Sequence, residues 1–284
     1  MIREVDESNL QAARSFLEAH VETSLFLLSN LALLGPRLGD HLNSGNYRCI
    51  KGNGEIVAVF CLTRRGNLLA QTGGRADLAA EILDACSGEA MRVEGVISEW
   101  RPAEALWRIL CAEPHFEPAH TSKEVLYRLV LPLDDSPNPS EDGVRFLESS
   151  DFAEWEQLDT ASLIQDGMPV QGSAEQRRAN FVSQAAARQW WGAFEASRLV
   201  SIACLNATYG RVGQVGGVYT APDERRKGRS RSVMTTLLRD AGNRHHLEKL
   251  ILFTGESNVP ARSMYESLGF ERIGEFALLF GSWR

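Results

Sequence analysis

The chain has 284 residues, 44% of them hydrophobic and 24% charged, with a formal net charge of -7. That length predicts two domains or one large one with ordinary cores, and the acidic balance argues against a general nucleic-acid binder. No run reaches the ~18–20 apolar residues of a membrane helix, and the acidic N-terminus lacks a secretory apolar region. Five cysteines, odd in number and without CxxC spacing, and six histidines in no ligand pattern, two of them the adjacent pair His245-His246, speak against a disulfide framework or a metal site. The compartment they predict is a reducing cytoplasm.

In chain order, 10–20 and 24–34 carry helical spacing, and 47–50, 55–62 and 67–72 alternate like three strands. A helix is expected at 76–86, a strand at 91–97, a helix at 102–111 and a strand at 124–130. Residues 131–143 hold three prolines and several acids, the composition of a linker. Beyond it a strand is expected at 144–147, a helix at 149–163 capped by Ser149 or Ser150, a loop at 166–172 and a helix at 173–188. Strands follow at 190–195, 199–208 and 212–220. Adjacent Trp190 and Trp191 face opposite sides of their strand, one into the core and the other toward a cleft.

The stretch Arg225-Arg226-Lys227-Gly228-Arg229-Ser230 follows the last of these strands. Pro222 ends the strand, and Val233, Leu237, Leu238 and Ala241 then fall on one helical face. Gly228 therefore lies in a strand-to-helix turn, where free amides and the positive end of the helix dipole meet. Without a Cβ, Gly228 lets the backbone approach a phosphate closely. Five of the seven residues from 225 to 231 are Arg or Lys. Cations are disfavoured at a helix N-terminus, so this cluster favours an anionic ligand over a merely solvated basic turn.

A second signature follows a buried strand at 249–254: Asn258, Pro260, Ala261, Tyr265, Gly269 and Phe270. Pro260 suits a first helical position and Gly269 a helix stop. Asn258 is either a cap or a ligand contact. Tyr265 is either one more core residue or a general acid, since a phenol of pKa near ~10 is protonated at neutral pH. Phe270 opens another strand-like piece, and 276–280 is a last strand.

The two signatures, in this order with a strand between them, resemble those of the GNAT superfamily of acyl-CoA-dependent N-acyltransferases. Its phosphate motif, Gln/Arg-x-x-Gly-x-Gly/Ala, is matched by Arg225, Gly228 and Ser230, with Ser at a place usually held by Gly or Ala. Its later motif, Asn-x-x-Ala-x-x-x-Tyr-x-x-x-Gly-Phe, is matched by Asn258, Ala261, Tyr265, Gly269 and Phe270. The resemblance implies acetyl-CoA as acyl donor, no metal, and a primary amine on a small molecule or peptide as acceptor. The backbone of Val218, Tyr219 and Thr220 would pair with the pantetheine arm. Arg225 would stand at the head of the cradle, and the amides of Arg226, Lys227, Gly228, Arg229 and Ser230 would hold the pyrophosphate. Asn258 would line the thiol end, and Tyr265 would protonate the leaving thiolate. Glu195 and Glu256 are candidate bases for the acceptor ammonium. The competing reading is a coenzyme-binding regulatory module without turnover.

The order of elements in 1–133 parallels that in 144–284, so the expected fold class is α/β of mixed type: two GNAT-like domains, each a mostly antiparallel twisted sheet flanked by helices, joined by a linker at 134–143. The chemistry does not repeat. Where the second half has its cradle, the first has Thr72-Gly73-Gly74-Arg75, and Arg101-Pro102-Ala103 stands in place of the second signature. The first half is thus expected to bind no coenzyme and to shape or cover the acceptor side. Neither a nucleic acid nor a membrane is expected as a partner, and the assembly expected is a monomer or homodimer.

Overall fold

Strands and helices alternate along the chain in a computed structural model that describes residues 1–131, 143–168, 170 and 172–284. Apart from Gly143, the expected linker at 134–143 lies outside the described residues. The first run comprises β1 (Ile2–Glu4), α1 (Leu10–Ala19), α2 (Val21–Leu34), β2 (Gly45–Gly52), β3 (Glu55–Thr63), β4 (Asn67–Gln71), α3 (Ala79–Cys86), β5 (Gly95–Glu99), α4 (Trp100–Leu110) and β6 (Phe116–Val130). The second comprises β7 (Val144–Phe146), α5 (Phe152–Gln165), α6 (Ala174–Ala186), β8 (Trp190–Glu195), β9 (Arg198–Tyr209), β10 (Val212–Thr220), α7 (Arg229–Asn243), β11 (Lys249–Gly255), α8 (Val259–Ser267) and β12 (Glu271–Trp283). The same order thus recurs: strand, two helices, three strands, helix, strand, helix, strand.

The chain divides into two units. The first holds Met1–Tyr127, Phe253–Arg262 and Arg272–Arg284. Its strands run β1-β2-β3-β4-β5-β12, antiparallel except for the parallel pair β4–β5. A parallel neighbour needs a crossover, which α3 supplies. Phe60, Leu68, Val96, Ile82, Leu106, Ala277 and Leu279 form its core. The second unit holds Arg128–Leu252 and Ser263–Glu271. Its strands run β11-β10-β9-β8-β7, again antiparallel except for one pair, β10–β11, whose crossover is α7. Phe152, Trp155 and Leu158 of α5 and Phe181 and Ala185 of α6 cover one face. Val233, Met234, Leu237 and Ala241 are buried on α7.

Several local readings of the sequence change; the strand expected at 124–130, for one, begins at Phe116. The segment 91–94 is not strand, because β5 begins at Gly95. The pieces expected at 270 and 276–280 are one strand, β12. Helix α5 starts at Phe152 after a 3-10 turn. That turn is capped by Glu148 and Asp151, not by Ser149 or Ser150: the Glu148 amide donates to Asp151 Oδ2 at 2.7 Å, the reciprocal arrangement of a capping box.

Candidate active site: a strand that parts from its neighbour and a cradle that follows

The site begins in β10. Its parallel ladder with β11 pairs only Val212, Gly213 and Gln214 with Lys249, Leu250 and Ile251. From Val215 to Thr220 the register of β10 is with β9 alone, and it is interrupted between Gly216 and Tyr219. Gly216 lies opposite Cys204 and Tyr219 opposite Ile202, so β10 has one extra residue there, a β-bulge. Gly217 sits in it at φ +58°, and a Cβ there would lie 2.7 Å from Trp190 Cη2. Only glycine fits. Val218 falls between the registered positions, while Tyr219 turns its ring into the core of the second unit. Ser201 Oγ donates to Tyr219 O at 3.0 Å and shares a 2.7 Å hydrogen bond with Thr220 Oγ1, fixing the end of β10 against β9.

The chain then makes a 3-10 turn, Pro222–Glu224, and enters the cradle. Arg226 and Gly228 both have left-handed backbone, at φ +63° and +81°. Gly228 is the N-cap of α7, and a Cβ built on it meets nothing within 4 Å. The space before the helix is therefore open. The first α7 amide to close a helical bond is that of Ser232, on Gly228 O at 3.0 Å. The amides of Arg229, Ser230 and Arg231 precede it, pointing out of the helix end as an anion site requires.

The cations are less free than their number in the sequence implies. Glu224 is 7% exposed; it accepts from Lys227 Nζ at 3.0 Å, from an Arg198 nitrogen at 3.4 Å, and faces Arg229 Nε at 3.5 Å. The hydrogen bond from Lys227 above all holds its carboxyl below the usual range. Arg229 also pairs with Glu195. Arg198 also pairs with Asp223 at 2.7 Å, which lowers the Asp223 carboxyl likewise. Arg225 donates to Thr220 O at 3.1 Å and to Gln165, and lies 5.4 Å from the centre of the Tyr219 ring. Arg231 donates to Ser267 Oγ at 2.6 Å. Arg226 alone in the cluster makes no side-chain hydrogen bond or ion pair among the described residues.

The second signature divides between the units. Asn258 lies in the 253–262 segment of the first; its Oδ1 accepts from the Ala261 amide at 3.4 Å, so it caps α8. Tyr265 belongs to the second unit, is 5% exposed, and packs edge-on against Phe270 at 6.0 Å. Two residues along, Ser267 takes the hydrogen bond from Arg231, so the end of α8 is tied to the first turn of α7. Tyr265 thereby shares a unit with Val218, Tyr219, Thr220 and the whole of Arg225–Ser230.

Trp190 and Trp191 are both buried, and neither lines a cleft. The second unit has helices on both faces of its sheet, so each indole finds a layer. Trp190 packs edge-on against Trp155 of α5 at 5.3 Å and donates to Gln184 Oε1 at 2.9 Å. Trp191 donates to Asp240 Oδ2 of α7 at 3.0 Å. Glu195, held by Arg229, is an ion-pair partner rather than a free base. Glu256, in the first unit, accepts from Arg262 at its carbonyl at 2.9 Å and donates its amide to Lys123 O at 3.3 Å. The sequence reading missed Glu224, a plain surface acid by its neighbours, and Asp159 on α5, whose carboxyl is raised by burial against the pull of Arg177 at 3.1 Å.

In the first unit the corresponding turn differs. Strands β4 and β5 stay paired at Asn67, Leu68, Leu69 and Ala70, nearly the whole of β4. Gly73 and Gly74 are left-handed, at φ +59° and +79°. However, Gln71 Oε1 takes the Gly73 amide at 2.7 Å while its amide nitrogen holds Thr23 and Ser24. The Gly73 amide is thus bonded within the protein, and Arg75 pairs with Asp77.

Residues 150–270 match the model of the Acetyltransferase (GNAT) family. Over 90 residues the chain is 33% identical to the uncharacterized N-acetyltransferase YsnE of Bacillus subtilis, spanning 31% of this chain and 59% of that protein's length. A GNAT-family acetyltransferase from Colwellia psychrerythraea aligns over 100% of both chains with a TM-score of 0.55 and 15% identity. A tandem GNAT protein from the clavulanic acid biosynthesis pathway aligns over 100% of this chain and 98% of its own, with a TM-score of 0.53 and 12% identity. At such identities these structures speak for the fold alone. Residues 150–270 thus match the GNAT acetyltransferase family, and the fold is similar to that of GNAT structures along the whole chain.

Proposed function

We propose that the protein transfers an acetyl group from acetyl-CoA to a primary amine, in a ternary complex and without a metal. The observation that carries this reading is the parting of β10 from β11 after Gln214, which leads directly into the open turn at Gly228. A strand edge freed over Val215–Thr220 supplies amides and carbonyls for the two amide groups of a pantetheine arm. The α7 N-terminus receives the pyrophosphate. The acceptor amine attacks the thioester carbonyl, and an amide in the β10 bulge stabilises the oxyanion. The C–S bond then breaks as Tyr265 gives its proton to the departing thiolate, and the proton shed by the new amide nitrogen passes through solvent and restores the phenol. Holding two substrates in line accounts for much of the rate.

The chain on this reading is a tandem GNAT protein of the cytoplasm, divided near 134–143, monomeric or homodimeric. Its first half, with Gln71 in its own turn and β4 zipped to β5, binds no coenzyme. Turnover with a panel of amines tests the activity, beside Tyr265→Phe. A phenol acting as acid predicts a fall in kcat of about 10²-fold or more with little change in acetyl-CoA affinity. An unchanged kcat removes Tyr265 from that role.

A further inference from the structure

We propose that Glu224 is a positioning residue that holds the side chains of Lys227 and Arg229 away from the bound anion, leaving Arg226 as the side-chain cation that meets the coenzyme phosphates. This rests on the coenzyme reading above. The geometry is one buried carboxylate with Lys227 Nζ at 3.0 Å, Arg198 at 3.4 Å and Arg229 Nε at 3.5 Å. The β8–β9 hairpin completes the arrangement. Its turn residues, Ala196 and Ser197, are both left-handed, at φ +46° and +68°, an uncommon conformation for residues with a Cβ. That turn sets Glu195 and Arg198 side by side, in register across the strands. Glu195 takes Arg229 from outside, and Arg198 takes Asp223 and Glu224. Acid and base thus alternate beneath the cradle, and the loop reaches its left-handed turns at Arg226 and Gly228 with two of its cations already neutralised. The ligand is met by backbone amides and one guanidinium that has no side-chain partner among the described residues, which suits a pyrophosphate whose charge is spread over several oxygens.

A double-mutant cycle on the full chain tests this, with acetyl-CoA as probe and calorimetric Kd as readout at low and at physiological salt. Lys227→Gln alone is expected to change Kd less than two-fold, and Arg226→Gln to weaken binding about ten-fold. In a Glu224→Gln background Lys227 is released toward the phosphates. There Lys227→Gln is expected to weaken binding about five-fold, most at low salt. A merely structural Glu224 would leave the effect of Lys227→Gln the same in both backgrounds. Lys227→Gln weakening the wild-type protein five-fold or more overturns the proposal while leaving the coenzyme site intact. A wild-type protein that binds no acetyl-CoA overturns the coenzyme reading and this proposal together. Should Glu224→Gln fail to fold, Glu224→Asp, which keeps the charge and withdraws the carboxylate from Lys227, takes its place in the cycle with the same expectations.

Discussion

Trp190 stands over Gly217 so closely that a Cβ on the glycine would lie 2.7 Å from the indole Cη2. The tryptophan in turn meets Trp155 of α5 edge-on at 5.3 Å. Helix α5, strand β8 and the bulge of β10 are therefore one packed stack, and the backbone of the proposed thioester site is set by a ring behind it. Gly217→Ala is expected to cost about 1–3 kcal/mol through overpacking and left-handed strain. It should also lower kcat/KM well beyond what the lost stability explains. Trp190→Phe should relieve part of the clash. Thermal unfolding and steady-state kinetics of the two single variants and the double variant check this; independent, additive effects would contradict it.

Gly228 makes a different prediction. Space around it is open, so Gly228→Ala meets no clash and carries only the cost of a left-handed residue, about 1–2 kcal/mol. Stability should fall by that small amount. Acetyl-CoA affinity should fall more than ten-fold, because the added methyl stands where the phosphate approaches. A loss of stability without a loss of affinity would place the anion elsewhere.

The cysteines predict a labelling pattern. Cys49, Cys61, Cys86 and Cys204 are buried and Cys111 is exposed. Burial pushes the Cys86 thiol up to about 12 and raises those of Cys61 and Cys204 strongly. Thiolate is the reactive form. One thiol, at Cys111, should react with a thiol reagent under native conditions, and the other four only on unfolding. Cys111→Ser should abolish the fast phase.

Acid should loosen the start of α5. The bond from Arg145, first of all, depresses the Asp151 carboxyl, with Arg145 at 2.7 Å. A carboxylate with a lowered folded pKa contributes stability above its unfolded pKa and loses it as pH falls through the folded value. Asp151→Asn should therefore lower stability at pH 7 by about 1 kcal/mol, in the capping range, and Tm with it, and the difference from wild type should shrink as the pH falls below the ordinary carboxylate range. Tm measured against pH for both proteins checks the sign.

How much of this was legible depends on how far each feature is local. Strands β8, β9 and β10 were read within a residue of their observed ends, because alternation is a property of neighbours. The strand-to-helix turn at Gly228 is legible because a proline, a glycine and a helical period define it within a short stretch. Strand β12 was read as two pieces because Gly274 and the charged run 271–275 break its pattern; pairing of Phe276–Phe280 with β5 supplies what the sequence lacks. Both tryptophans of β8 are buried because the sheet is covered on both faces, which alternation alone does not tell. The buried state of Glu224 was illegible for a similar reason: its partners Arg198 and Arg229 come from other elements, and only folding brings three cations to one carboxylate.

The most direct test of the central claim is a calorimetric titration with acetyl-CoA of the wild-type protein beside an Arg226→Glu/Gly228→Glu double variant. A micromolar Kd for wild type that is lost in a folded double variant is the predicted result. No binding by the wild-type protein, or equal binding by both, would contradict it.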